Sequence, residues 1–366
     1  MLRSFFSTTI RFIDGVFGFA AVLVLLAVCS VVPVLNLLSL GYLLHASGVV
    51  AQSGRLRDGI IGRRKAAVLG RVLVGSWLVL WPARIAHDFW RDAQIIAAGS
   101  ASVRLWQIVL GVVFGLTLIH IVWACLRGGR WRHFLWPAPL ELLRWLRGAD
   151  GLAQVRGAVR EYVSGLRLPF YFWLGLRGFA GAAAWLALPV AVLYAATRAP
   201  LGGAVLLSLL GGVMLMLVAM HLPFLQARLA ESGRFAAMFE LREVRRLFIR
   251  APLAFWMALL ATLLFAAPLY ILKVELTPRE LAWLPSLVFV LFIFPARLLT
   301  GWALGRAMRR EVAAHRAWQW LARLGILPVA LAYVLVVYLT PYISWNGARS
   351  LLEQHAFLLP APLFAL

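Results

Sequence analysis

The sequence predicts an all-α fold, a polytopic transmembrane bundle of about eight spans (seven or eight), with amphipathic helices along the cytoplasmic interface. Three observations carry this. The 366 residues are 63% hydrophobic and only 14% charged, whereas a soluble domain holds about 45–50% apolar and about 25% charged residues. One protein core stops growing near about 250–300 residues, so the excess calls for lipid as a second apolar solvent, in keeping with a mean hydropathy of +0.87. The apolar residues form continuous runs of about twenty, enough for a helix to cross about 30 Å of hydrocarbon. Finally, the net charge of +22 is gathered between those runs, as cytoplasmic loops of membrane proteins require. Spanning strands are excluded, because they would alternate in hydropathy and have to close into a barrel.

Taken in order, the runs are 16–44, 66–83, 103–126, 178–197, 202–225, 252–272, 281–304 and 325–344. The first is unusually long and contains Pro33 and Asn36. It reads either as a full span or as a re-entrant hairpin, since proline lacks the backbone donor that a continuous helix needs. Eight full spans are the expectation. No small-x-small cleavage site follows the positive start at Arg3 and Arg11, so the first helix is expected to stay uncleaved. Cys29 and Cys125 fall inside apolar runs and imply no disulfide framework.

Four intervening segments are basic. Residues 52–71 carry Arg55, Arg57, Arg63, Arg64, Lys65 and Arg71 against Asp58; residues 127–167 carry eight arginines against three acids. Residues 228–250 and 297–323 carry six arginines each. The segments 84–104, 198–201 and 273–280 are close to neutral. This alternation places the basic segments in the cytoplasm and predicts a multi-pass protein of a prokaryotic inner (cytoplasmic) membrane. Eight spans then put the N-terminus outside, against the preference of Arg3 and Arg11, so its side stays open.

Within the basic segments, apolar residues recur at helical spacing: Phe235, Met238, Phe239, Leu241 and Leu247 in one, Trp131, Phe134, Leu142 and Trp145 in a second, and Trp318, Trp320 and Leu321 in a third. Each reads as an amphipathic helix lying on the membrane. Its cations attract anionic lipid by about 1 kcal/mol apiece near the surface. Candidate contacts to lipid or a partner are Arg63, Arg64, Lys65, Arg177, Arg242, Arg245, Arg246, Arg309 and Arg310. No basic-aromatic recognition module is present, so no nucleic-acid partner is expected; other membrane subunits or a second copy are.

The chain reads as one membrane domain, 1–366, with two loosely repeated halves, 1–126 and 178–304, joined by a basic interfacial segment, 127–177. Ser53-Gly54-Arg55 after Pro33 is echoed by Ser232-Gly233-Arg234 after Pro223, and more loosely by Pro295 with 306–316. Gly111-x-x-x-Gly115 and Gly301-x-x-x-Gly305 permit close helix contact.

Catalytic motifs are missing from the sequence: it has no phosphate-binding Gly-x(4)-Gly-Lys-Ser/Thr, no His-Glu-x-x-His and no Gly-x-Ser-x-Gly. No cofactor and no metal are expected. One candidate polar site is His87-Asp88-Phe89-Trp90-Arg91-Asp92, where Asp88 and Asp92 share a helical face at i,i+4. His120 and His221 lie in or near spans, where an ionisable residue is a functional candidate. Arg71, Arg84, Arg177 and Arg297 read as lying near span ends, from which arginine reaches the headgroups.

The stretch Pro33-Val-Leu-Asn36-Leu-Leu-Ser-Leu-Gly41-Tyr42, with Gly233-Arg234-Phe235, Phe239 and Val244, resembles a family of uncharacterised prokaryotic multispanning membrane proteins (domain of unknown function 4013). The resemblance covers about a third of the chain and implies a helical membrane fold, with no activity attached. The leading expectation is a non-catalytic subunit or scaffold of a membrane assembly. The alternative is a secondary transporter, with breaks at Pro33, Pro189, Pro223 and Pro295 lining one polar cavity. A third is a lipid transferase, which needs Asp88, Asp92 or another carboxylate to face a headgroup-sized pocket.

Overall fold

The computed structural model describes residues 2–147, 151–272, 283–343 and 347–353. The near-neutral 273–280 segment therefore lies outside the described residues. The described elements are all helical, and seven helices are long and apolar enough to cross a membrane, or eight when one bent pair is counted as a span. The chain is a multi-pass helical membrane protein. It forms two compact units: one is Met1–Val22 with Gly62–Leu166, the other Leu23–Ile61 with Arg167–Leu366.

The long first run is two helices, α1 (Leu2–Val31) and α2 (Asn36–Ser53). Between them Pro33 withholds a donor and Val34 takes φ +71, a conformation that a β-branched residue rarely adopts. The expected full span 16–44 is thus corrected to a span ending at Val31 and a separate second helix.

In the first unit, α3 (Arg63–Val79) and α4 (Trp81–Ile96) meet at Leu80, with Pro82 at the start of α4. The run expected at 66–83 therefore continues to Ile96. α4 turns back through 97–100 into α5 (Ala101–Leu126), and Phe89 stacks on Trp106 with ring centroids 4.7 Å apart. The short α6 (Trp131–Leu135) drops Phe134 into the notch left by Gly75 of α3. Two further helices, α7 (Pro139–Arg147) and α8 (Gly151–Ser164), complete this unit, and the Tyr162 hydroxyl donates to the Lys65 carbonyl at 2.8 Å.

The second unit is organised around α2. The helix is buried on nearly every face, including the small residues Gly41, Ser47, Gly48 and Ala51, as expected for a helix with neighbours on all sides. Those neighbours are α9 (Leu168–Ala196), α10 (Leu201–Ser232) and α13 (Trp283–Met308). Gly41 of α2 and Gly175 of α9 abut each other's helix backbones; Gly48 meets the Ala230 carbonyl of α10; Gly301 and Gly305 of α13 lie on the carbonyls of Ser47 and Ala51. A Cβ at any of these positions would collide with backbone, which is the physical requirement for glycine there. The remaining helices are α11 (Leu241–Arg250), α12 (Pro252–Leu272), α14 (Arg316–Ile343) and the single turn α15 (Ser350–Glu353).

Pro189, Pro223 and Pro295 sit inside α9, α10 and α13, which run on through them. The breaks expected there are absent from these helices; only Pro33 marks one. Trp318, Trp320 and Leu321 belong to the first turns of α14, so the third interfacial helix is corrected to the start of a span.

The two Ser-Gly-Arg segments adopt the same local geometry. Gly54 has φ 75, ψ 3 and bonds its N–H to Val50 O at 2.8 Å; Gly233 has φ 69, ψ 0 and bonds Leu229 O at 2.8 Å. In both, the serine hydroxyl accepts from the arginine N–H, at 3.2 and 3.3 Å, and a 3-10 turn follows, Leu56–Gly59 or Phe235–Phe239. The left-handed glycine closes the helix, a geometry that costs other residues energy.

Candidate functional site

A groove of about 780 Å³ runs between α4 and α5. Three polar side chains of α4 and one of α5 line it: Arg84, His87, Asp88 and Gln107. Its apolar stretch is Leu80, Ala83, Leu110 and Phe114, and beside Gly111 there is open space where a side chain would lie. Phe89 stacked on Trp106 joins the two helices near the 97–100 connection, and Leu80 and Phe114 are the lining residues furthest along the chain from that connection. His87 Nδ1 stands 3.7 Å from the Asp88 carboxylate, and the Arg84 guanidinium lies over the Trp77 ring at 5.3 Å. Of the candidate polar residues, the groove gathers His87 and Asp88. Asp92 lies one turn nearer the 97–100 connection and does not line it.

The other two candidate histidines are bound elsewhere. His120 Nε2 meets the His133 carbonyl at 3.1 Å, and His221 Nδ1 meets the Leu217 carbonyl of its own helix at 2.7 Å. The first joins α5 to α6, and the second stays within α10.

The second candidate surface is α11. It is bent 114° from α12 across a break of one residue. Val244 and Leu247 are buried, whereas Arg242, Arg245 and Arg246 are exposed. Only Arg246 has a nearby acid on this helix, Glu243 at 3.8 Å. At the flank of α11, Arg323 lies over Phe248 and Trp320 at 5.8 and 5.4 Å. The two helices reach the length and apolarity of a span only together, and α11 divides its buried apolar residues from its exposed arginines.

Other candidate contacts have structural partners. Arg309 donates to Ala51 O and Gln52 O at 3.2 and 3.4 Å, satisfying the carbonyl end of α2. Arg310 does the same for Arg250 O at 3.3 Å, and Arg177 reaches Gly233 O at 3.4 Å. Arg63 and Arg64 are exposed at the start of α3, while Lys65 is half-buried there.

Sequence reasoning missed one buried pair. Arg297 is 3% exposed midway along α13 and donates to the Gln226 side chain of α10, itself 0% exposed. Gln226 in turn reaches the Gly178 carbonyl of α9 at 3.5 Å. The reading of Arg297 as a span-end cation is therefore corrected: α13 extends to Met308, which moves Arg297 to mid-helix. An acceptor one helix away, invisible in a linear pattern, allows the charge to stay inside.

Comparison of the chain with protein-family models, curated proteins and solved structures returns no match.

Proposed function

We propose that the chain is a non-catalytic subunit or scaffold of a membrane assembly in a prokaryotic inner membrane, setting a basic face against anionic lipid or an acidic partner. The observation that carries this reading is α11, with its buried Val244 and Leu247, its exposed Arg242, Arg245 and Arg246, and its 114° turn away from α12. The core supports it. The intramembrane polar pair Arg297–Gln226 ties helices together, and α9, α10 and α13 continue through their prolines, unlike the interrupted helices of many transporters. Kinship with the domain-of-unknown-function 4013 proteins belongs to the same proposal, since the resembling segments lie on α2 and just after α10.

A secondary transporter is the second reading. It is favoured by the α1–α2 break, where Asn36 is 2% exposed and its Oδ1 has no hydrogen-bond partner.

Native mass spectrometry of the gently extracted protein separates the two. Other polypeptides should be retained by the wild type and lost from the Arg242→Gln/Arg245→Gln/Arg246→Gln variant. A lone protein carrying a small solute would reject the scaffold.

A further inference from the structure

The α4–α5 groove has a polarity gradient that α11 does not share, and it lies wholly within the first unit. The lining residues nearest the 97–100 turn are the Asp88 carboxylate, with His87 3.7 Å from it, and the Gln107 amide. One helical turn further along, about 6 Å, the groove presents a guanidinium (Arg84). Leu80, Ala83, Leu110 and Phe114 complete the lining, with Leu80 and Phe114 at the end away from that turn. Arg84 and Asp88 stand at i,i+4, a spacing at which opposite charges commonly pair. Among the described ion pairs, however, they do not pair: Asp88 is beside His87, and Arg84 lies over Trp77. Both exposed charges thus remain available to a ligand along one line. Gly111, which lines the same groove, leaves open space where a side chain would lie.

We propose that this groove binds one zwitterionic aminophospholipid. Its primary ammonium meets Asp88 and Gln107, its phosphate meets Arg84 in the space beside Gly111, and an acyl chain runs along Leu80, Leu110 and Phe114. The order amine, phosphate, acyl chain in such a lipid, from the membrane surface inward, is the order carboxylate, guanidinium, apolar wall in the groove. A ligand without the cation leaves Asp88 uncompensated, and one without N–H donors cannot hydrogen-bond it. This site is independent of α11, whose exposed Arg242, Arg245 and Arg246 favour purely anionic lipid, so the two have opposite headgroup preferences.

The test is native mass spectrometry of the full chain titrated separately with phosphatidylethanolamine, phosphatidylcholine and phosphatidylglycerol of identical acyl chains. The wild type is expected to retain one phosphatidylethanolamine about fivefold better than the other two, the factor of an exposed ion pair near 1 kcal/mol. Asp88→Asn should abolish that preference, and Gly111→Leu should reduce retention of phosphatidylethanolamine, with thermal unfolding unchanged because the added side chain enters open space. Equal retention of the three lipids by the wild type overturns the proposal. So does a Gly111→Leu protein that holds phosphatidylethanolamine as the wild type does. A phosphatidylglycerol preference abolished by Arg242→Gln/Arg245→Gln/Arg246→Gln assigns the bound lipid to α11 and likewise overturns it.

Discussion

Two glycine pairs with the same four-residue spacing end in opposite surroundings. Gly301 and Gly305 on α13 rest against the carbonyls of Ser47 and Ala51, whereas Gly111 and Gly115 on α5 face open space. The spacing gives each helix a flat strip, but only a facing helix that presents its own backbone turns the strip into a contact. α2 does so with Ser47, Gly48 and Ala51. On α5, Gly111 lines the groove, and nothing stands within 4 Å of where a Cβ would lie at Gly111 or Gly115. The glycine strip of α13 therefore serves close packing, whereas that of α5 leaves free volume.

The strongest test of the packed side of this contrast is its buried charge. Arg297→Ala is expected to destabilise the protein by about 3 kcal/mol, from the Gln226 Oε1 left without its donor and the cavity the side chain vacates. Thermal unfolding in detergent measures it; a wild-type midpoint would mean that the second unit does not depend on this link. Of intermediate size is the direct comparison of the two strips. Gly301→Ala should cost about 1–3 kcal/mol through overpacking against Ser47, whereas Gly111→Ala should gain about 0.5–1 kcal/mol, because alanine is the better helix former. If both substitutions shift unfolding in the same direction, the contrast between the strips is broken.

The smallest effect expected is a difference in acid sensitivity between the units. In the first unit His133 is buried, and its Nδ1 accepts the Arg130 N–H at 3.4 Å. Burial first, then the guanidiniums of Arg127, Arg132 and Arg130, push its pKa below the usual imidazole range. The unfolded chain takes up this proton near pH ~6.5 while the folded one resists it. The contribution of His133 to stability is therefore full above that pH and declines as the pH falls through it. Hydrogen exchange in α6 should speed up between pH 7 and pH 5, after correction for intrinsic rates, more than in α2. Equal changes in the two helices would remove His133 as the cause.

Span existence was legible in the sequence because lipid imposes length and apolarity on each helix separately. Boundaries were less so. α14 absorbs Trp318 and Trp320 because nothing between Arg316 and the apolar run stops a helix, whereas α1 and α2 separate where Pro33 and Val34 cannot continue one. The Ser-Gly-Arg turns were visible because left-handed glycine leaves a local signature. Burial of Arg297 was not, since its acceptor lies 71 positions away. Asp88 and Asp92 were equivalent by spacing; only the place where α5 crosses α4 distinguishes them.

The central position of α2 also bears on how the protein is made. This helix ends at Ser53, but its neighbours α9, α10 and α13 start at Leu168, Leu201 and Trp283. At about 5–20 residues per second, the ribosome needs on the order of ten to fifty seconds after releasing α2 to finish α13. At the start of that interval a helix with buried Ser39, Ser47 and Asn36 has none of these three neighbours, and it lacks α13 until the end. Insertion must therefore shelter α2, at the insertase or in the headgroup layer, until the chain that encloses it has been synthesised.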